Sequence, residues 1–190
     1  LLSSTNGIWA ILGNHDKYRH SFFRKFSRKK KKLVPELNNI ELLSTALLKN
    51  DIRLLIDESS IISINSTPIR VIGSDVYWSA GGYRTDIFTN QLEEDALSLI
   101  FQSVQEEEFV IFLDHIPKHL GHIPAHLVLS GHTHGGQVRL PIIGPIVAYS
   151  QFQRRYNKGL YKVNDYYLNV SAGIGASRET PFRLFCPPEV

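Results

Sequence analysis

Leu127-Val-Leu-Ser-Gly-His-Thr-His-Gly-Gly-Gln137 governs the reading of the whole chain. Leu127 to Leu129 is an apolar run of strand length, and it stops at a polar loop with two histidines at i and i+2 between glycines. Glycine lets the backbone turn sharply and approach closely, so His132 and His134 can reach adjacent positions around one centre. By itself the loop reads either as a tight turn or as a ligand pair.

The same pattern recurs upstream. Phe109 to Leu113 is a second apolar run and ends at Asp114-His115; Gly7 to Leu12 is a third and ends at Gly13-Asn14-His15-Asp16. His115 alone reads as a hydrogen-bonded structural histidine or a ligand. Gly-Asn-His-Asp alone reads as an Asx-type turn or a donor set. Open α/β sheets place their sites just beyond strand ends, where all three pieces fall. Imidazole and amide oxygen are neutral donors that suit Mn, Fe, Co or Zn.

The rest of the chain alternates helix and strand signals. Asn38 or Asn39 can cap a helix over Ile40 to Lys49, on which Ile40, Leu43, Leu47 and Leu48 recur at helical spacing. Strands are expected at Arg53 to Ile56, Ser60 to Ile64 and Ile69 to Ile72, with Asn65-Ser66-Thr67-Pro68 as a turn. A second helix fits Asn90 to Val104, with Leu92, Ala96, Leu99, Ile100 and Val104 on one face. Leu160 to Val163, Tyr166 to Val170 and Phe182 to Phe185 read as further strands, with Gly173-Ile174-Gly175 as a turn. With no repeat and no long linker, residues 1–190 read as a single α/β domain.

Composition narrows the class. At 190 residues, 43% hydrophobic and 21% charged, the chain is of ordinary globular type rather than disordered, collagenous or a disulfide miniprotein. No stretch reaches the roughly 18 apolar residues needed to span a bilayer. Cys186 is the one cysteine and cannot close an internal disulfide, which favours a cytoplasmic location. There is no phosphate-binding Gly-x-x-x-x-Gly-Lys loop, no Gly-x-Ser-x-Gly elbow and no Cys-x-x-Cys pair.

Charge is segregated. Lys17 to Lys32 contains nine Lys and Arg residues and no acid; setting these aside leaves 12 Lys+Arg against 18 Asp+Glu, a net −6. On a helix, Tyr18, Phe22 and Phe26 would form one stripe among the bases, as in an interfacial amphipathic helix. The arm reads either as a solvated surface helix with a basic end or as a contact to an anionic membrane surface. Nucleic acid is not expected, because the remainder of the chain is acidic.

Together the three ordered blocks resemble blocks three, four and five of the calcineurin-like metallophosphoesterases, whose pattern runs Asp-x-His, Gly-Asp-x-x-Asp, Gly-Asn-His-Asp/Glu, His, Gly-His-x-His. Gly131-His-Thr-His-Gly-Gly-Gln-Val-Arg-Leu-Pro141, Arg154-Arg155-Tyr156, Gly159-Leu160-Tyr161, Phe182-Arg183 and Pro188-Glu189 resemble its membrane-associated phosphodiesterase branch, which includes a UDP-2,3-diacylglucosamine pyrophosphatase of lipid A synthesis. The resemblance implies two mixed β-sheets packed face to face, flanked by helices, and a site for two divalent metal ions. It implies Asn14, His115 and His132 as ligands of the second metal and His134 as a ligand of the first. His15, with Asp16 beside it, would stabilise the transition state or protonate the leaving oxygen.

Asp-x-His and any Gly-Asp pair are absent, so the first metal's own ligands and the bridging carboxylate are missing. Those blocks lie upstream of Gly-Asn-His-Asp in the family. With no methionine anywhere and Leu1 first, the expectation is a C-terminal portion lacking its first strands, binding metal weakly and nearly inactive by itself. In the full-length protein the resemblance implies a phosphoester or pyrophosphate hydrolase, with a lipid-linked or nucleotide-sugar substrate, working at the inner face of a membrane. Arg154, Arg155 and Arg178 are candidate phosphate or headgroup contacts or else surface pairs. Tyr77 and Trp78 are candidates for a substrate groove or the core, and His20, His119, His122 and His126 are taken as structural or exposed. The alternative is a degenerate, non-catalytic domain used as a binding scaffold; metal storage is a further rival, opposed by the retained His15-Asp16 pair.

Overall fold

The computed structural model describes residues 4–19, 36–75, 90–117, 122–146, 155–176 and 181–189. In chain order its elements are β1 (Ile8–Ala10), α1 (Asn14–Lys17), β2 (Tyr18–Arg19), β3 (Glu36–Leu37), α2 (Ile40–Leu48), β4 (Ile52–Leu54), β5 (Glu58–Ile64), β6 (Thr67–Gly73), α3 (Asn90–Phe101), β7 (Phe109–Leu113), β8 (Leu127–Ser130), β9 (Arg139–Leu140), β10 (Gly144–Pro145), β11 (Gly159–Val163) and β12 (Tyr166–Val170).

Six of these strands make one mixed sheet in the order β11-β12-β8-β7-β6-β5. The four central strands are parallel, and the two edges are antiparallel hairpin partners. The central strands are apolar runs because helix and loop cover them, while the edges alternate. The β5–β6 hairpin turns through Asn65 and Ser66, both at positive φ (50° and 66°), the pattern of a two-residue type I′ connection. Thr67 and Pro68 therefore belong to β6 rather than to the turn.

Val110, Phe112, Val128, Tyr166, Leu168 and Val170 share one face of the sheet and are buried there with Ile72. Helix α3 covers that face with Leu97 and Phe101, and the Phe101 ring lies 5.0 Å from that of Phe112. Leu99, expected on the inner face, is instead 71% exposed. Leu97 and Phe101 stand one turn apart, and Leu99 between them projects to the opposite side. In α2, Asn39 rather than Asn38 is the cap: its side chain accepts from Leu42 N at 2.9 Å.

β1 and β4 form a separate parallel pair. It meets the large sheet where Gly73 passes Leu55, and any Cβ on Gly73 would collide with the Leu55 side chain. Mixed sheets with few helices agree with the expected α/β class; the described residues hold one six-stranded sheet and three two-stranded pairs.

Two further expectations are corrected. Phe182 to Phe185 is not a strand: it makes a single parallel bridge, Val138 to Leu184, and Phe185 turns to φ 50°. Tyr18 does not open an amphipathic helix, since Tyr18–Arg19 pairs antiparallel with Glu36–Leu37. Phe22, Phe26 and the bases from Arg24 to Lys32 lie outside the described residues, as do Tyr77, Trp78, His20 and His119.

Candidate metal centre

Because β6, β7, β8 and β12 are parallel, their carboxyl ends share one edge. The hydrogen-bond ladder continues past the strand ends: Ser74 N to Leu113 O, Asp114 N to Leu129 O, Gly131 N to His115 O and Ser171 N to Ser130 O, all between 2.9 and 3.1 Å. This extension fixes the backbone of His115 and Gly131 as firmly as that of the sheet itself. β1, with its ladder extended by Leu55 N to Ala10 O, delivers Gly13-Asn14 to the same place.

Three donors meet there. His115 Nε2 stands 3.0 Å from Asn14 Oδ1 and 3.2 Å from His132 Nδ1. The two imidazoles are edge-to-face, with ring centroids 5.0 Å apart. Gly13 permits the contact, since a Cβ there would stand 2.9 Å from His115 Cε1. Burial first, then the nearby charges of His132, His134 and His15, push the His115 imidazole down to about 4. Burial and the charges of His134 and His15 push His132 down as well. Both rings are therefore neutral at pH 7, which is the ligating form.

The donor set fits a divalent cation. With metal–ligand bonds of about 2.1 Å, neighbouring donors are about 3.0 Å apart in an octahedron and about 3.4 Å in a tetrahedron. The separations of 3.0 and 3.2 Å fall within that range. Among the described residues no three His, Cys, Asp or Glu side chains come together as a candidate cage. The trio is two imidazoles and an amide, without a carboxylate.

The turn after β8 is unusual. His132, His134, Gly135, Gly136 and Gln137 all have positive φ, and the non-glycine members are strained. Several side chains hold them there. Thr133 Oγ1 donates to Asn157 O at 2.7 Å and accepts from Gly135 N. Arg139 donates to Gly135 O at 2.7 Å, and the buried Gln137 amide donates to Phe182 O. Arg183 donates to the carbonyls of Ala172, Gly173, Gly175 and His134. Arg183 carries no metal-ligand signal in sequence, because it acts on backbone carbonyls; Asn157 accepts from Thr133 through its own carbonyl and from Arg139 through Oδ1.

α1 is held from outside. Asn38 Nδ2 donates to the carbonyls of His15 and Asp16 at 3.1 and 3.0 Å, and Asp16 Oδ2 accepts from Gly13 N at 2.7 Å. Asp16, the third residue of α1, thus reaches back to the N–H just before the helix as in a capping box rather than closing an Asx turn, and His15 is exposed beside the trio. Lys17, expected to begin the basic arm, instead makes an ion pair with the buried Asp75 at the end of β6. Burial raises the Asp75 carboxyl, against the lowering effect of Lys17. His134 is near enough for its charge to act on both His115 and His132.

Arg155 lies over the Tyr156 ring, 5.2 Å from its centroid, rather than among the trio. Arg154 and Arg178 lie outside the described residues. His126 is structural, accepting from Val110 N at 3.0 Å, and His122 pairs with Asp165 in solvent.

No family profile matches the chain, and no solved structure matches it. Curated proteins do. Over 67 residues, 35% of this chain and 23% of the relative, it is 40% identical to the uncharacterized metallophosphoesterase YkuE of Bacillus subtilis (strain 168). It is 39% identical over 67 residues to phosphodiesterase YaeI of Escherichia coli (strain K12), covering 24% of that protein. It is 34% identical over 112 residues, 57% of this chain and 38% of the relative, to an uncharacterized metallophosphoesterase of Aquifex aeolicus (strain VF5). The matched stretch spans well under half of each relative. Two of these relatives are named metallophosphoesterases and the third a phosphodiesterase, and the chain is similar to part of each.

Proposed function

We propose that this chain is part of a metal-dependent phosphoester hydrolase, and that Asn14, His115 and His132 hold one divalent cation of its centre. The carrying observation is the meeting of those three donors at hydrogen-bond distance on a sheet edge, with both imidazoles held neutral. His134 serves the other cation of a two-metal site. Bound divalent cations supply charge neutralisation at the attacked phosphorus.

The chain's own residues do the rest. Asn14, His115 and His132 bind, and the Asn38 and Asp16 hydrogen bonds fix α1 so that Asn14 faces His115. His15, exposed beside the trio, stabilises the transition state or donates a proton to the leaving oxygen. Arg154, Arg155 and Arg178 contact the substrate's phosphate or headgroup. The substrate is a lipid-linked or nucleotide-sugar pyrophosphate such as UDP-2,3-diacylglucosamine, met at an anionic membrane surface by the basic arm. The six-stranded sheet is one layer of a two-sheet sandwich, and β1–β4 begins the other.

The test uses the whole protein that carries this chain. Hydrolysis of bis(p-nitrophenyl) phosphate and of UDP-2,3-diacylglucosamine is measured with Mn²⁺, after chelation, and with His115→Ala and His15→Ala. Chelation and His115→Ala are expected to remove turnover on both substrates, and His15→Ala to lower kcat by about 10²-fold or more with metal still bound. Full activity after chelation or in His115→Ala overturns the reading. A metal-binding protein with no turnover on any phosphoester establishes the scaffold alternative instead.

A further inference from the structure

We propose that the hairpin β9–β10 is an interfacial anchor, whose apolar tip enters an anionic lipid bilayer and sets the His132–His134 turn against the headgroups. The proposal rests on the membrane part of the functional reading and is independent of whether hydrolysis occurs.

The tip is Pro141-Ile142-Ile143. Ile142 is fully exposed at 107%, Ile143 is exposed at 75%, and Leu140 and Ile146 on the flanks are exposed as well. From Leu140 to Ile146 the sequence Leu-Pro-Ile-Ile-Gly-Pro-Ile has no polar side chain, although surface loops are ordinarily polar. Ile142 sits at φ 70°, a region that a β-branched residue occupies only under strain and that Asn or Gly enters freely. A water-facing turn has no need of isoleucine there. Phe182, Leu184 and Phe185 extend the patch, since Leu184 bridges to Val138 at the base of the hairpin and all three are exposed. Exposed apolar surface of this kind marks an interaction site.

The hairpin is joined rigidly to the site. Ile146 N donates to Val138 O at 3.0 Å, Arg139 reaches back to Gly135 O, and a Cβ on Gly136 would collide with Pro145. Where the tip goes, the His132–His134 turn follows.

Charge identifies the occupant. Along the sequence, the stretch between Asp114 and Asp165 has no acidic residue and six basic ones, Lys118, Arg139, Arg154, Arg155, Lys158 and Lys162, of which Lys158 pairs with Glu189 and Lys118 and Arg154 lie outside the described residues. An apolar tip rising from an acid-free, basic stretch matches an anionic bilayer, which offers hydrocarbon beneath negative headgroups. A second copy would set two such stretches of like charge against each other.

The 190-residue chain is sedimented with phosphatidylcholine vesicles, with and without phosphatidylglycerol, at low and high salt. Ile142→Asn and the double variant Ile142→Asn/Ile143→Asp are compared with it, alongside thermal unfolding. The expected result is salt-sensitive binding to phosphatidylglycerol vesicles, weakened roughly tenfold in the double variant. Ile142→Asn unfolds at the same or a higher temperature, because it relieves the left-handed strain, and yet binds more weakly. In Ile143→Trp the indole emission shifts to the blue when anionic vesicles are added. Wild-type binding by folded variants overturns the anchor and leaves the membrane reading standing on the basic arm. A wild-type chain that binds no vesicle, or that self-associates through this hairpin in their absence, overturns both.

Discussion

The two ends of the large sheet treat polar groups in opposite ways. At the amino end of β7, Arg70 and Glu108 are both buried and make a bidentate pair, with Nε to Oε2 at 2.6 Å and Nη2 to Oε1 at 2.8 Å. Ser59 and Ser103 accept from Arg70, and Gln105 N donates to Glu108. Four of the five guanidinium N–H groups are engaged within this network. At the carboxyl end, His115 and His132 face each other as neutral rings, and His115 Nε2, His132 Nδ1 and Asn14 Oδ1 converge without a carboxylate among them. Charge that is fully compensated builds structure; neutral donors that converge make a place for a cation.

The largest expected effect is at the compensated end. Glu108→Ala leaves a buried guanidinium unpaired and should cost about 3–5 kcal/mol of unfolding free energy, measured by urea denaturation. A loss below about 1 kcal/mol would mean that the pair is solvated and the contrast false. At the other end, His115→Ala should leave the fold in place but lower cation affinity by more than the roughly 10–100-fold typical of an outer-shell change. Calorimetric titration with Mn²⁺ reads this directly, and an unchanged affinity removes His115 from the centre.

Acid should separate the two ends by pH. Burial and neighbouring charge depress His115 and His132 in the folded state, so unfolded imidazoles take up protons first. Their contribution is complete above about 6.5 and is lost as pH falls toward the His115 value of about 4. The Arg70 hydrogen bond holds Glu108 below the ordinary carboxyl value of 4.5, so its contribution is complete above that value and is lost at lower pH. Glu108→Gln should therefore flatten only the lower limb of the stability profile. Flattening of the upper limb by that variant would contradict the assignment.

The smallest effect is expected at Asn38. Asn38→Ala removes two hydrogen bonds to the α1 carbonyls and should cost about 1–2 kcal/mol. It should also weaken cation binding about tenfold through misplacement of Asn14. Loss of stability with unchanged affinity would leave Asn38 as a cap and nothing more.

The candidate site is legible in the sequence because strand ends are easily read: an apolar run followed by Gly-Asn-His, Asp-His or Gly-His-Thr-His locates its loop by residue order alone. Most of the sheet follows from the same runs, with boundaries shifted by one or two residues. What fails depends on long-range partners. Lys17 reads as part of a basic arm until Asp75, 58 residues away, claims it. Phe182 to Phe185 looks like a strand by composition, but Arg183 binds the carbonyls of the neighbouring turn and the extended run is broken. Leu99 has an apolar side chain at an outward position, a choice that periodicity over a short window cannot separate from the inner face. Arg183, Asn157 and Asn38 are invisible as supports because backbone carbonyls carry no sequence label.

The most direct measurement is Co²⁺ titration of the 190-residue chain, followed by visible absorption and by histidine proton resonances. Weak, saturable binding of one ion with two paramagnetically shifted imidazoles is expected, lost in His115→Ala and in His132→Ala. Binding that survives both substitutions, or no imidazole shift at saturation, would contradict the claim that Asn14, His115 and His132 form a cation site.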